Sequence, residues 1–115
     1  MVFSLVAVSV GIKESDAATV RRGKISFYDG EGKLGADQKI LTRYDCAVGF
    51  LYKYITKGTP IYTSNEDKLK FVTLYKWDWG GFNDPVILDV QRSAFQYDLG
   101  GSITLGYIPN GRISY

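Results

Sequence analysis

The stretch from Lys76 to Pro85, reading Lys-Trp-Asp-Trp-Gly-Gly-Phe-Asn-Asp-Pro, concentrates the residues of this chain that could do chemistry. Trp77, Trp79 and Phe82 stand beside Asp78, Asn83 and Asp84, with Gly80 and Gly81 allowing a tight bend. Aromatic rings stack on the C–H faces of sugars while carboxylates and amides pair with hydroxyls, so the combination suits a carbohydrate. The same residues make a protein–protein hot spot, and Trp77 alone also reads as core. Trp77, Asp78, Trp79, Phe82, Asn83 and Asp84 are therefore the candidate ligand or partner contacts. Carboxylate pairs such as Asp78 with Asp84, or Glu66 with Asp67, are the groups a glycoside hydrolase uses, but nothing in their spacing sets a separation.

Other candidates lead to blander readings. Asp29-Gly30-Glu31-Gly32-Lys33 is not a phosphate loop, because Leu34 and Gly35 follow the lysine where Ser or Thr should open a helix. It is not an EF-hand either, since Lys33 would put a cation in the cage. A turn between strands accounts for it. The chain has no histidine, which removes the commonest general base and metal ligand. The single cysteine, Cys46, excludes an intrachain disulfide and reads as packed rather than reactive. No catalytic residue, metal ligand or cofactor is expected, and the protein reads as a non-enzyme.

Elements of β type must position these residues. Of 115 residues, 45% are hydrophobic and 15% aromatic, which excludes intrinsic disorder. Period-two alternation runs through Ala47 to Thr56 and Leu69 to Trp77, and thirteen glycines punctuate the chain. Further strands are read at Lys24–Tyr28, Gln38–Tyr44, Thr59–Thr63, Val86–Gln91, Ala94–Tyr97, Ser102–Ile108 and Arg112–Tyr115. Pro109-Asn110-Gly111 reads as a hairpin turn, and Asn65–Lys70 as a loop. The expected fold is all-β, a Greek-key sandwich or barrel of about 8–10 strands with an additional N-terminal strand. One domain spans 1–115, with the N-terminal strand and its connection in 1–23 and a twofold repeat in 24–115.

The first residues carry a separate expectation. Met1 to Ile12 is apolar on both faces of a strand, and it lacks the basic start and small neutral cleavage region of a secretory signal. It is too short to span a bilayer. Val2, Phe3, Leu5, Val6, Val8 and Val10 are thus the candidate self-association residues, because an apolar terminal strand needs a covering neighbour.

The two halves show internal similarity. Lys24–Tyr28 aligns with Phe71–Tyr75, Gly35 with Gly81, and Tyr44-Asp45 with Tyr97-Asp98. Tyr28 to Gly35, with Lys33 in place of the second aromatic, resembles the opening hairpin of the βγ-crystallin family. Tyr75, Trp79 and Gly81 are similar but one residue short, and Asn110-Gly111-Arg112-Ile113-Ser114 resembles that family's closing turn. The resemblance implies two Greek-key motifs over Lys24 to Tyr115 and a calcium-binding alternative.

The expected function is a non-catalytic structural or assembly subunit, of the viral, phage-particle or surface-assembly type, forming a homo-oligomer or larger assembly. The alternative is a lectin-like carbohydrate-binding module using the Trp77–Pro85 loop. Arg21, Arg22, Lys24, Tyr52, Lys53, Tyr54 and Lys57 raise single-stranded nucleic-acid binding. The net charge of +2 and interspersed acids weigh against it.

Overall fold

The computed structural model describes residues 19–115. The candidate self-association residues of the N-terminal segment lie outside the described residues. Six strands are present among those described: β1 (Val20–Tyr28), β2 (Asp45–Gly49), β3 (Pro60–Asn65), β4 (Lys70–Gly80), β5 (Val86–Gln91) and β6 (Tyr107–Ser114). They close into a barrel in the order β1-β5-β2-β4-β3-β6. The all-β barrel is as the sequence leads one to expect.

Two pairings are parallel, β1 with β5 and β2 with β4, and the others are antiparallel. Ile25, Val48, Ile61, Leu74, Leu88, Val90, Ile108 and Ile113 fill the interior, each at most 1% exposed. β-branched and aliphatic residues at alternate positions give every strand an apolar inner face. Burying each such side chain contributes about 1.5–3 kcal/mol before entropic costs.

There are fewer strands than expected, for local physical reasons. Ala47–Thr56 does not continue as one strand. β2 stops at Gly49, where a Cβ would lie 2.6 Å from the Phe82 carbonyl oxygen, and a single 3-10 turn follows over Phe50–Tyr52. Gln38–Tyr44 is a loop with one bridge, Leu34 to Ile40. Ala94–Tyr97 belongs to a wide helical turn, Ala94–Asp98, that buries Ala94 and Phe95. Of Ser102–Ile108, only its end is strand.

No hairpin forms at Pro109-Asn110-Gly111 either. β6 runs straight through, and neither Asn110 nor Gly111 has a positive φ. Gly111 faces Gly23 across the β1–β6 ladder, and a Cβ there would lie 2.5 Å from Ile25 Cδ1. Close approach of two strands, rather than turn geometry, demands that glycine. The connection expected at Asn65–Lys70 is a turn over 66–69 between β3 and β4, and its Leu69 sits at φ 53°.

Candidate functional site

β2 lies between β4 and β5, and all five of its residues are buried. Its middle residue, Ala47, pairs with Asp89 on β5 and with Asp78 on β4. Asp89 in turn pairs with Ser26 on β1. Ser26, Asp89, Ala47 and Asp78 therefore form one row across four adjacent strands. The row alternates with core residues Ile25, Val48, Leu88 and Val90, which sets it on the outer face of the barrel wall. Asp78 reaches that face through a bulge: Cys46 pairs with Lys76 and Ala47 with Asp78, leaving Trp77 as the extra residue on β4.

The two carboxyl groups are held differently. Both oxygens of Asp78 are engaged: Tyr28 Oη donates to Oδ2 at 2.9 Å, and the Ala36 backbone N–H donates to Oδ1 at 2.7 Å. Asp89 accepts one bond, from Ser26 Oγ to Oδ1 at 2.9 Å. Its Oδ2 makes no hydrogen bond among the described residues. Burial is the main reason that the Asp89 carboxyl is pushed up to about 6, with the charge of Asp78 adding to the rise and Ser26 opposing it. The Tyr28 phenol is raised well above its ordinary range, first by burial and then by its bond to Asp78. Beside Tyr28, a shallow cleft of about 250 Å³ is lined by Asp29, Glu31, Lys33, Gln91 and Arg92.

A buried strut supports the row. Lys76, 1% exposed, pairs with Asp37 at 2.8 Å and donates to the Lys53 carbonyl oxygen at 3.0 Å. Asp37 adjoins Ala36, and its own N–H donates to the Trp77 carbonyl oxygen at 3.2 Å. One ammonium thus pins the loop that supplies the Ala36 N–H and also the turn that follows β2. Gln91, fully buried, accepts from Gly30 N at 2.8 Å and donates to the Asp45 carbonyl oxygen at 3.3 Å, tying down the turn after β1.

The six residues singled out in Trp77–Pro85 do not converge on one point. Trp77 is half-buried, with Gly58 against its ring, and Trp79 packs on the core with its ring edge-to-face to Phe50 at 5.5 Å. Phe82 covers Gly49 and Gly80. Asn83 is exposed, and Asp84 pairs with Arg21 at 2.9 Å. Only Asp78 joins the row. Asp89, Ser26 and Tyr28 escaped notice in the sequence, although one signal was there. A carboxylate amid Ile87, Leu88 and Val90 interrupts an otherwise apolar strand, and such a placement is costly without a purpose.

Cys46 is fully buried, and burial raises its thiol far above the ordinary value, so it is packed rather than reactive. A larger apolar groove, about 330 Å³, is lined by residues including Tyr62, Leu69, Phe71, Val72 and Thr73; neither Asp78 nor Asp89 lines it. Among the described residues, no helix is long and apolar enough to cross a membrane.

A closed six-stranded barrel with a partly buried acid pair on its wall is the class that these features define. The chain is 36% identical over 104 residues to the uncharacterized protein YdjM of Bacillus subtilis (strain 168), covering 88% of this chain and 81% of YdjM. It belongs to the same family as YdjM. No family model matches. Among solved structures, the apo expansin of Clavibacter michiganensis superposes with a TM-score of 0.68 at 19% identity. An aspartate-to-asparagine variant of a Clavibacter michiganensis expansin, in complex with cellohexaose, superposes with a TM-score of 0.70 at 17% identity. Each match covers 84% of this chain and 50% of the expansin chain, so this chain spans about half of the expansin length. At these identities the likeness is one of fold.

Proposed function

We propose that this barrel binds a polysaccharide of the β-glucan type across the Ser26–Asp89–Ala47–Asp78 row, without hydrolysing it. The observation that carries the reading is Asp89, a partly buried carboxyl with an unused oxygen, raised to about 6, on the same row as Asp78. Below that pH its Oδ2 holds a proton and can donate to a sugar hydroxyl or glycosidic oxygen. Cellohexaose bound to an expansin of the same fold supports the choice of ligand class.

The non-hydrolytic part rests on Asp78. A hydrolase needs its second carboxylate free to activate water or attack the sugar. Here each Asp78 oxygen already accepts one bond, from Tyr28 or from the Ala36 N–H, which holds the carboxylate in place and weakens it as a nucleophile. The assembly-subunit reading rested on Val2 to Val10, outside the described residues, and no observation on the barrel places it ahead of the saccharide.

Titration calorimetry with cellohexaose at pH 5 and pH 8, paired with a reducing-end assay, tests both parts. Binding is expected at pH 5, weaker at pH 8, and reduced at least about tenfold in Asp89→Ala, with no new reducing ends. Equal affinity in Asp89→Ala would overturn the site, and release of reducing ends would overturn the non-hydrolytic reading.

A further inference from the structure

We propose that the ledge formed by Phe50, Lys53 and Trp79 is a subsite for a uronic-acid unit, so that the preferred glycan carries carboxylates; this rests on the saccharide-binding reading above. The Lys53 ammonium lies 4.1 Å from the centre of the Phe50 ring and 5.2 Å from that of Trp79. Among the described residues it makes no hydrogen bond or ion pair, so none of them takes up its three N–H donors. Aromatic faces attract a cation but do not neutralise it. Phe50 is 45% exposed, which leaves ring surface for the C–H face of a sugar while the ammonium takes its carboxylate.

The ledge lies just past the row, where the β2–β4 ladder ends. Val48 pairs with Trp79 one step along from Ala47 and Asp78, with Trp79 turned to the core side and Asp78 to the outer side, and Phe50 follows Gly49 directly. The Lys76 strut fixes the ledge through the Lys53 carbonyl oxygen at 3.0 Å. Charge then sorts the sugars. Asp78 repels an acidic unit from the row, and Lys53 receives it at the ledge. A chain with neutral units at the row and a uronate at the ledge satisfies both.

The test compares cellohexaose with cellohexaose partially oxidised at C6, about one uronate per chain, so that the carboxylate is the only chemical difference. Calorimetry at low salt should find the oxidised oligomer bound about fivefold tighter by the wild-type chain, with the preference shrinking as salt rises. Lys53→Gln should erase the preference while keeping affinity for cellohexaose, and Lys53→Arg should restore it. Because the Lys53 side chain is exposed and only its main chain bonds Lys76, neither variant disturbs the fold. Equal binding of both oligomers by the wild type, or an unchanged preference in Lys53→Gln, overturns the ledge alone. If the wild type binds neither, the saccharide reading falls and the ledge with it.

Discussion

Strand β4 contributes to two surfaces of different character. Its Asp78 belongs to the acid row, while Phe71 and Thr73, at its other end, line the apolar groove. The groove is the larger concavity, and its Leu69 and Phe71 are 81% and 72% exposed. In the row, by contrast, the Asp89 carboxyl is kept partly out of water, at a standing cost in stability. Concavity marks where something could fit, whereas an electrostatic cost marks a placement the fold maintains against its own stability. That difference is why we propose the row, and not the groove, as the binding surface.

The comparison can be broken at its strongest point, the strut beneath the row. Lys76→Met should destabilise the chain by on the order of 3 kcal/mol, since it breaks a buried ion pair and frees the Lys53 carbonyl oxygen. Urea denaturation measures this, and a loss below about 0.5 kcal/mol would show that the two loops are held by other contacts.

A second variant sharpens the comparison through pH. The folded state holds the Asp89 proton up to about pH 6, whereas the unfolded chain releases it near the ordinary 3.8. Wild-type stability from this group is therefore full below about pH 4 and is lost as pH rises through 6. Asp89→Asn does not titrate and can still accept from Ser26. It should be more stable than wild type by on the order of 2 kcal/mol at pH 8, with the gain vanishing by about pH 4. Melting curves across pH check both the size and the sign.

The smallest effect is expected at the groove. Phe71→Thr should change stability by less than about 0.5 kcal/mol and leave cellohexaose affinity unchanged. A marked loss of affinity would move the site from the row to the groove.

Much of the barrel was legible from alternation alone. Leu69–Trp77 and Val86–Gln91 announce β4 and β5, because their inner residues recur with period two and have core to fill. What alternation does not report is whether a strand has partners. Ala47–Thr56 alternates well past Gly49, yet the chain after Phe82 closes over that point and the ladder ends. Asn110-Gly111 carries turn chemistry, but the contact between Gly111 and Ile25 comes from a strand far away in sequence. The candidate site was half legible. Asp78 stood out among aromatics, whereas Asp89, Ser26 and Ala47 become neighbours only through the β1-β5-β2-β4 order. Because that order mixes parallel and antiparallel pairs, no local spacing encodes it.

The first and last described residues are mutually bonded: Thr19 N donates to the Tyr115 carbonyl oxygen at 3.2 Å, and Tyr115 N to that of Thr19 at 3.0 Å. Chain therefore enters and leaves the barrel at a single point. Anything joined at either end would hold the barrel by one pivot instead of stretching it between two. Ser26 lies six residues along β1 from Val20, roughly 20 Å from that pivot at the usual rise per residue. A module joined at that point would hold the proposed saccharide row within about that distance of its attachment, so that a released sugar chain meets the row again nearby.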